Sequence, residues 1–192
     1  MGVDPARYGN DKAIIAFRQG NDARSVRFEE YAKCSVVDLA EHCARAIDKY
    51  KPDAVFIEGD GVGGGVADVL KATRHKVIEV SVGGGAQDKD MYGNHRTELW
   101  GRMRDWVATG MLPDEGSLIE DLCAPLYDYT LKGQLKLEPK DKMKRRGYAS
   151  PDWADALAVT FSRTVGRRDM RTTRGQRGEI KVAQDMDYDI FG

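Results

Sequence analysis

The segment from Ala54 to Thr73 constrains the fold of this 192-residue chain more than any other. It reads as a short apolar strand ending in Glu58, a glycine-rich loop over Gly59–Gly65 and a helix over Val66–Thr73. A second apolar strand is predicted over Lys76–Ser81. A strand, a helix and a strand in this order predict two parallel strands joined by a right-handed crossover.

The preceding segment predicts strands of a different kind. Three strands are expected over Met1–Ala6, Ala13–Gln19 and Ser25–Tyr31, followed by a helix over Val36–Tyr50. Ser35 and Asp38 form the sequence signature of a capping box at the start of that helix. Three consecutive strands with short connections favour an antiparallel meander. The predicted fold class is therefore α/β, a mixed sheet of three antiparallel strands plus parallel βαβ strands, with helices on both faces.

The remaining elements predict one domain and a tail. Helices are expected over His95–Thr109 and Ser117–Cys123, then an added β-hairpin, then a helix from Pro151 to about residue 164. We predict one domain over residues 1–164 and a flexible polar C-terminal tail over 165–192. The first strand begins only three residues before Asp4, whereas strands average about 5–6 residues. This suggests a domain excised from a larger protein.

The charge is unevenly distributed, although the net charge is only −1. Residues 132–148 contain seven Lys and Arg against two acids, and residues 163–181 repeat those numbers. A basic region of this kind is typical of proteins that bind polyanions, although two solvated faces would look the same. No signal peptide and no apolar run of about 18–20 residues occurs, so no membrane partner is expected. Three cysteines without a CxxC motif favour a reducing, cytoplasmic setting.

Three carboxylates occupy positions where an unpaired charge is costly. Asp4 lies in the first predicted strand, Glu58 ends an apolar strand, and Asp155 lies in the first turns of an apolar helix. Brought together, they would need cations, and oxygen-only ligands select Mg²⁺ or Mn²⁺. Two such ions suit phosphodiester hydrolysis. Asp152, three residues before Asp155, is a candidate fourth metal ligand, and Asp60 is held in reserve for the second acid.

The glycine-rich loop supports a competing hypothesis. Gly59–Gly64 matches G-x-G-x-x-G between a strand and a helix, and Glu79 follows at the spacing of a ribose-binding acid. This pattern would define a dinucleotide-binding module. However, three strands and a helix precede the unit, and Glu58 would place a negative charge beside the pyrophosphate.

Basic residues around the hairpin are candidates for DNA contacts. Tyr127 and Tyr129 interleave with these cations as in nucleic-acid-binding surfaces, although both rings could instead pack under the hairpin. The candidate DNA-binding residues are Lys132, Lys136, Lys142, Lys144, Arg145 and Arg146, with His95 and Arg96 at the start of a helix as weaker candidates.

At these positions the chain resembles the C-terminal nuclease domain of the tailed-phage terminase large subunit. The resemblance runs from about Gly2 to Phe161, with its motifs in the order of the family. The motifs are Val3–Ala6 with Gly9 and Asp11, Ile57–Val66 with Asp68 and Leu70, Leu135–Lys140, and Ser150–Asp152 with Ala154–Ala156.

The resemblance implies an RNase H-like (resolvase-like) fold and a metal-dependent endonuclease that cuts concatemeric viral double-stranded DNA during packaging. The metal-binding acids of the family fall on Asp4, Glu58 and Asp155; Glu58 departs from the aspartate that many members have. An N-terminal packaging ATPase domain, a small terminase subunit and a portal are the implied partners, in the host cytoplasm. The chain has no G-x-x-x-x-G-K-[ST] motif, so the motor is not expected here. The alternative enzyme is a structure-selective nuclease of the resolvase or RNase H type.

Overall fold

A computed structural model describes residues 1–6 and 11–166 of the chain. Its main sheet contains five strands in the order β3-β2-β1-β4-β5. The strand bounds are β1 Gly2–Asp4, β2 Lys12–Ala16, β3 Glu29–Ala32, β4 Phe56–Glu58 and β5 Ile78–Val80. β1, β2 and β3 pair antiparallel, whereas β4 pairs parallel to both β1 and β5. The predicted mixed sheet is therefore confirmed.

Six helices and a hairpin surround this sheet in the described part of the chain. The helices are α1 Val36–Tyr50, α2 Val62–Ala72, α3 His95–Val107, α4 Gly116–Cys123, α5 Lys140–Arg145 and α6 Asp152–Ala158, with a 3₁₀ turn over Val159–Phe161. The hairpin consists of β6 Tyr127–Tyr129 and β7 Leu135–Leu137. No described helix has both the length and the apolar composition that a membrane crossing requires.

The strands bury both faces of the sheet, and this sorts the helices into two layers. On one face Val3, Ile15 and Ile57 pack with residues of α1 and α2. On the other face Ile14 and Phe56 pack with residues of α3, α4 and α6. Because strand side chains alternate between faces, residues two apart share a layer. Helices on both faces, as predicted, are thus confirmed.

Three elements differ from the sequence prediction, and one of them is the last helix, which was expected to reach about residue 164 but ends as α6 at Ala158 and continues only as the 3₁₀ turn to Phe161. α2 begins at Val62, so Gly63–Gly65 of the expected loop form its first turn, whereas Gly59 and Gly61 precede it. The helix α5 was not expected, although it follows Pro139 and contains Lys and Met residues that favour helices. Residues 167–192 of the predicted tail lie outside the described residues, so the domain boundary near residue 164 stays a prediction.

Gly2 explains how α6 lies so close to the sheet. A Cβ atom at Gly2 would lie 2.2 Å from the Ala156 carbonyl oxygen and 2.7 Å from Thr160 Cγ2. Only a glycine therefore lets the backbone of α6 pack directly against β1. This contact brings the helix that carries Asp155 to the strand that ends at Asp4.

Candidate active site

Two of the predicted acids lie at the carboxyl ends of adjacent parallel strands. Gly2 and Val3 of β1 pair with Phe56 and Ile57 of β4, and Asp4 and Glu58 are the next residues in that register. Asp4 follows Gly2, and Glu58 follows Phe56, by two residues, so both face the layer that contains α6. The negative charge of Glu58 is one of the causes that raise the pKa of Asp4, as expected for two neighbouring carboxylates.

The third acid joins this pair through a lysine. Lys140 Nζ lies 2.9 Å from Asp155 Oδ2 and 3.6 Å from Asp4 Oδ2. Asp4 and Asp155 are both buried, at 5% and 3% exposure. Asp4 and Asp155, far apart in sequence, thus share one ammonium group, and the charge of Glu58 also raises the pKa of that group.

Asp155 is the most tightly held carboxylate of the group. Arg96 donates from Nε to Oδ1 and from Nη2 to Oδ2, at 3.1 Å in both cases. The indole of Trp100 donates a further hydrogen bond to Oδ1 at 2.7 Å. Burial raises the pKa of Asp155, but the charges of Arg96 and Lys140 outweigh it and hold that pKa below its usual value. Asp155 is therefore ionised and fixed in orientation.

Asp4 and Glu58 have the opposite electrostatic balance. Burial, together with the neighbouring carboxylates, raises the pKa of Asp4 well above its usual value, although Lys140 opposes this shift. Burial likewise raises the pKa of Glu58. Burial lowers the pKa of Lys140, but Asp4, Asp155 and Glu58 reverse this effect and raise it. When all three carboxylates are ionised, their negative charge exceeds the positive charge of Lys140 and Arg96 together.

The donor chemistry suits a divalent cation, but a lysine holds the position between the acids. Among residues 1–6 and 11–166, no three Asp, Glu, His or Cys side chains are arranged as a ready metal site. The physical reason is that Lys140 lies between Asp4 and Asp155, while Arg96 binds both oxygens of Asp155. Lys140 acts as a stand-in cation among hard oxygen donors of the type that Mg²⁺ and Mn²⁺ prefer.

The two further metal candidates lie in different surroundings. Asp152 is buried and adds to the negative potential at Asp4, but its Oδ2 accepts the Lys12 backbone N–H at 2.9 Å. Asp60 accepts hydrogen bonds from Ser81 Oγ and the Gly83 backbone N–H, and so ties the end of β5 to the start of α2. These hydrogen bonds do not show whether Asp152 or Asp60 binds a metal ion, so metal binding by both residues stays a prediction.

The candidate DNA-binding residues divide into engaged and exposed side chains. Arg96 holds Asp155, and His95 is buried with its Nδ1 3.2 Å from Glu98 Oε2. Arg146 pairs with Glu138 and Lys144 pairs with Asp11. Lys132, Lys136, Lys142 and Arg145 are exposed, and Lys144 and Arg146 are exposed as well although each forms an ion pair.

The glycine loop is explained by packing. A Cβ atom at Gly63 would lie 1.6 Å from the Glu58 carbonyl oxygen and 3.1 Å from Pro5 Cγ. Gly63 thus lets α2 begin directly against the end of β4, beside the acids. Glu79, the expected ribose ligand, instead forms an ion pair with Lys71.

A concave surface lies elsewhere in the described part of the molecule. This groove of about 1300 Å³ is lined by Met1, Phe17, Trp106 and Phe161 among others. Met1 precedes β1, whereas Asp4 ends that strand, so the groove and the acids lie at opposite ends of the sheet. We assign the candidate site to the buried carboxylates and not to this groove, because buried charged groups are a stronger indication of a functional site than the shape of the surface.

Sequence reasoning missed three residues of this site. Lys140 was named only among the basic residues that follow the hairpin and as the last residue of the segment Leu135–Lys140 that carries part of the family resemblance. Trp100 gave no signal beyond an apolar helix face. Asp121 accepts the Trp153 backbone N–H at 2.8 Å and so fixes the start of α6.

The fold is that of the nuclease domains of phage terminase large subunits. The chain is similar to the nuclease domain of the large terminase subunit gp2 of bacterial virus Sf6, with 22% identity and a TM-score of 0.68 over 81% of this chain and 84% of that one. It is also similar to the large terminase nuclease from thermophilic phage G20c, with 15% identity and a TM-score of 0.63 over 84% and 78%.

The similar structures include metal-bound forms. The G20c nuclease has been solved with magnesium and with cobalt, and a lysine-to-alanine mutant of the Sf6 domain with manganese and β-thujaplicinol. No protein-family model matches the chain, and no curated protein matches it in sequence. At these identities the likeness establishes the fold alone.

Proposed function

We propose that this chain is the nuclease domain of a phage terminase large subunit and cuts double-stranded DNA by metal-dependent phosphodiester hydrolysis. The observation that carries the proposal is the pairing of Asp4 and Asp155 with one half-buried ammonium, with Glu58 at the end of the adjacent strand, on a fold shared with terminase nucleases solved with divalent metals. Since a shared fold does not by itself define a function, the proposed function is inferred from these acidic residues.

Asp4, Glu58 and Asp155 would bind two divalent ions, either Mg²⁺ or Mn²⁺. Bound metal supplies an activated water and stabilisation of the leaving oxygen. The chain itself supplies orientation: Arg96 and Trp100 hold both oxygens of Asp155, and the strand ends hold Asp4 and Glu58 side by side.

Lys140 has a second part in this proposal. Its ammonium neutralises the carboxylates when no metal is bound, and it must move away from them when divalent cations enter. From α5 beside the acids, the ammonium of Lys140 would then be available to pair with a phosphate of the substrate. Concatemer cutting with a packaging ATPase domain, a small terminase subunit and a portal belongs to the same proposal.

Cleavage of supercoiled plasmid tests the proposal directly. We expect nicking and linearisation in Mg²⁺ or Mn²⁺, no cleavage in EDTA, and loss of cleavage in Asp4→Asn. Asp48→Asn is the matched control, because this side chain is 79% exposed on α1, across the sheet from the acids. Metal-independent cleavage, or an Asp4→Asn variant as active as the parent, would contradict the assignment.

The substrate distinguishes the proposal from the resolvase or RNase H alternative. A terminase nuclease should cut plain duplex DNA, whereas the alternative should prefer a four-way junction or an RNA–DNA hybrid. The test compares the rates at which the protein cleaves equal amounts of the duplex, the junction and the hybrid at one salt concentration.

A further inference from the structure

The hairpin presents an aromatic surface to solvent. Tyr127 and Tyr129 are 65% and 63% exposed, and Leu131 at the hairpin tip is fully exposed. The two rings meet edge to face with centroids 6.2 Å apart. Two tyrosines at alternate positions of one strand share a face, so their rings form one continuous surface.

This exposure is not forced by the hairpin itself. Leu135 and Leu137 lie opposite Tyr129 and Tyr127 in β7 and are half-buried, and Leu137 packs against the core. The tyrosines share the face of these leucines, yet their rings remain outside the core. The alternative in which both tyrosines pack under the hairpin is therefore absent from this structure. Large aromatic side chains left exposed in this way are typical of binding surfaces.

The hairpin is fixed to the candidate active site. Thr97 Oγ1 accepts the Leu137 backbone N–H at 3.0 Å, and Leu135 exchanges backbone hydrogen bonds with Met91 and Gly93. Arg96, which holds Asp155, also donates to the Glu138 carbonyl oxygen at 3.1 Å. One arginine thus links the end of β7 to an acid of the site.

We propose that Tyr127 and Tyr129 form a stacking platform for unpaired DNA bases beside the cleavage site. The proposal rests on the proposed nuclease function and adds a preference for locally unpaired substrate. Aromatic rings stack on any base, because every base has a π face. The exposed Lys132 at the tip of the same hairpin supplies positive charge for the phosphates of that strand.

DNA binding in EDTA tests the platform without cleavage. Fluorescence anisotropy at one salt concentration would compare a short duplex with the same duplex carrying a central unpaired stretch. We expect tighter binding of the unpaired substrate by the parent. The double variant Tyr127→Ala, Tyr129→Ala should weaken that binding by about tenfold or more, since stacking contributes about that much per base. Binding to the full duplex should change little.

The double variant Tyr127→Phe, Tyr129→Phe is the matched control, because it retains the rings and should retain the preference. Equal binding of both substrates by the parent, or equal loss on both in the alanine variant, would overturn the proposal. A shift from dimer to monomer in the alanine variant, with unchanged DNA affinity, would also overturn it and would identify a second copy as the occupant. If the protein cleaves plasmid but binds both substrates equally, only the stacking platform is refuted. If it binds the unpaired substrate more tightly but does not cleave plasmid, only the proposed nuclease function is refuted.

Discussion

Replacing Lys140 with alanine removes the positive charge shared by the acids. Coulomb's law with an effective dielectric constant of about 20 gives an attraction of about 6 kcal/mol at the 2.9 Å separation from Asp155. Most of that energy is offset by the desolvation of both groups. Breaking a buried ion pair costs about 3–5 kcal/mol. The Lys140 side chain is 31% exposed, so about 2–3 kcal/mol is the better expectation here.

The expected result depends on whether metal is present. In EDTA, a loss of about 2–3 kcal/mol corresponds to a fall in Tm of about 4–12 °C for a domain of this size. With saturating Mn²⁺ the difference should largely disappear, because the metal takes over the neutralisation of Asp4 and Asp155. Since metal no longer competes with the ammonium, its Kd should fall by up to about 30- to 150-fold.

Thermal unfolding in EDTA and in Mn²⁺, together with calorimetric titration of Mn²⁺, measures both effects. Lys142→Ala is the matched control, because this side chain lies exposed two residues further along α5. Its Tm and metal affinity should stay near those of the parent. If Lys140→Ala lost the same stability with and without Mn²⁺, or bound Mn²⁺ no more tightly, the ammonium and the metal would not share a position.

Two further predictions concern the helix that carries Asp155. Gly2→Ala should destabilise the domain by about 1–3 kcal/mol in urea unfolding, because its Cβ would overlap α6; Gly116→Ala, which has nothing within 4 Å of its Cβ, should not, and equal effects would contradict the packing argument. Asp121 is half-buried, and burial raises its pKa to about 7 from 3.8. The folded state therefore holds a proton that the unfolded state releases, so this group costs increasing stability as the pH rises from about 4 to about 7. Asp121→Asn in EDTA should accordingly stabilise the domain by about 1–2 kcal/mol more at pH 8 than at pH 5 after allowance for solvent screening; an identical gain at both pH values would refute this.

The sequence by itself determined the elements whose causes are local. The capping box at Ser35 and the helical spacing of apolar residues gave α1 its observed bounds. The apolar runs before Asp4 and Glu58 indicated buried strands, and strand order indicated the mixed sheet. These signals were sufficient because hydrogen-bond caps and side-chain periodicity act within a few residues.

The tertiary structure alone decided how the charges are paired. Nothing near Lys140 in the sequence indicates that it lies between Asp4 and Asp155, 136 and 15 residues away by number. For the same reason Arg96, a candidate for DNA contact, holds Asp155 in the structure. Charge pairing falls off with distance in space and is independent of separation along the chain. Which acid meets which base is therefore known only once the sheet and helices are assembled.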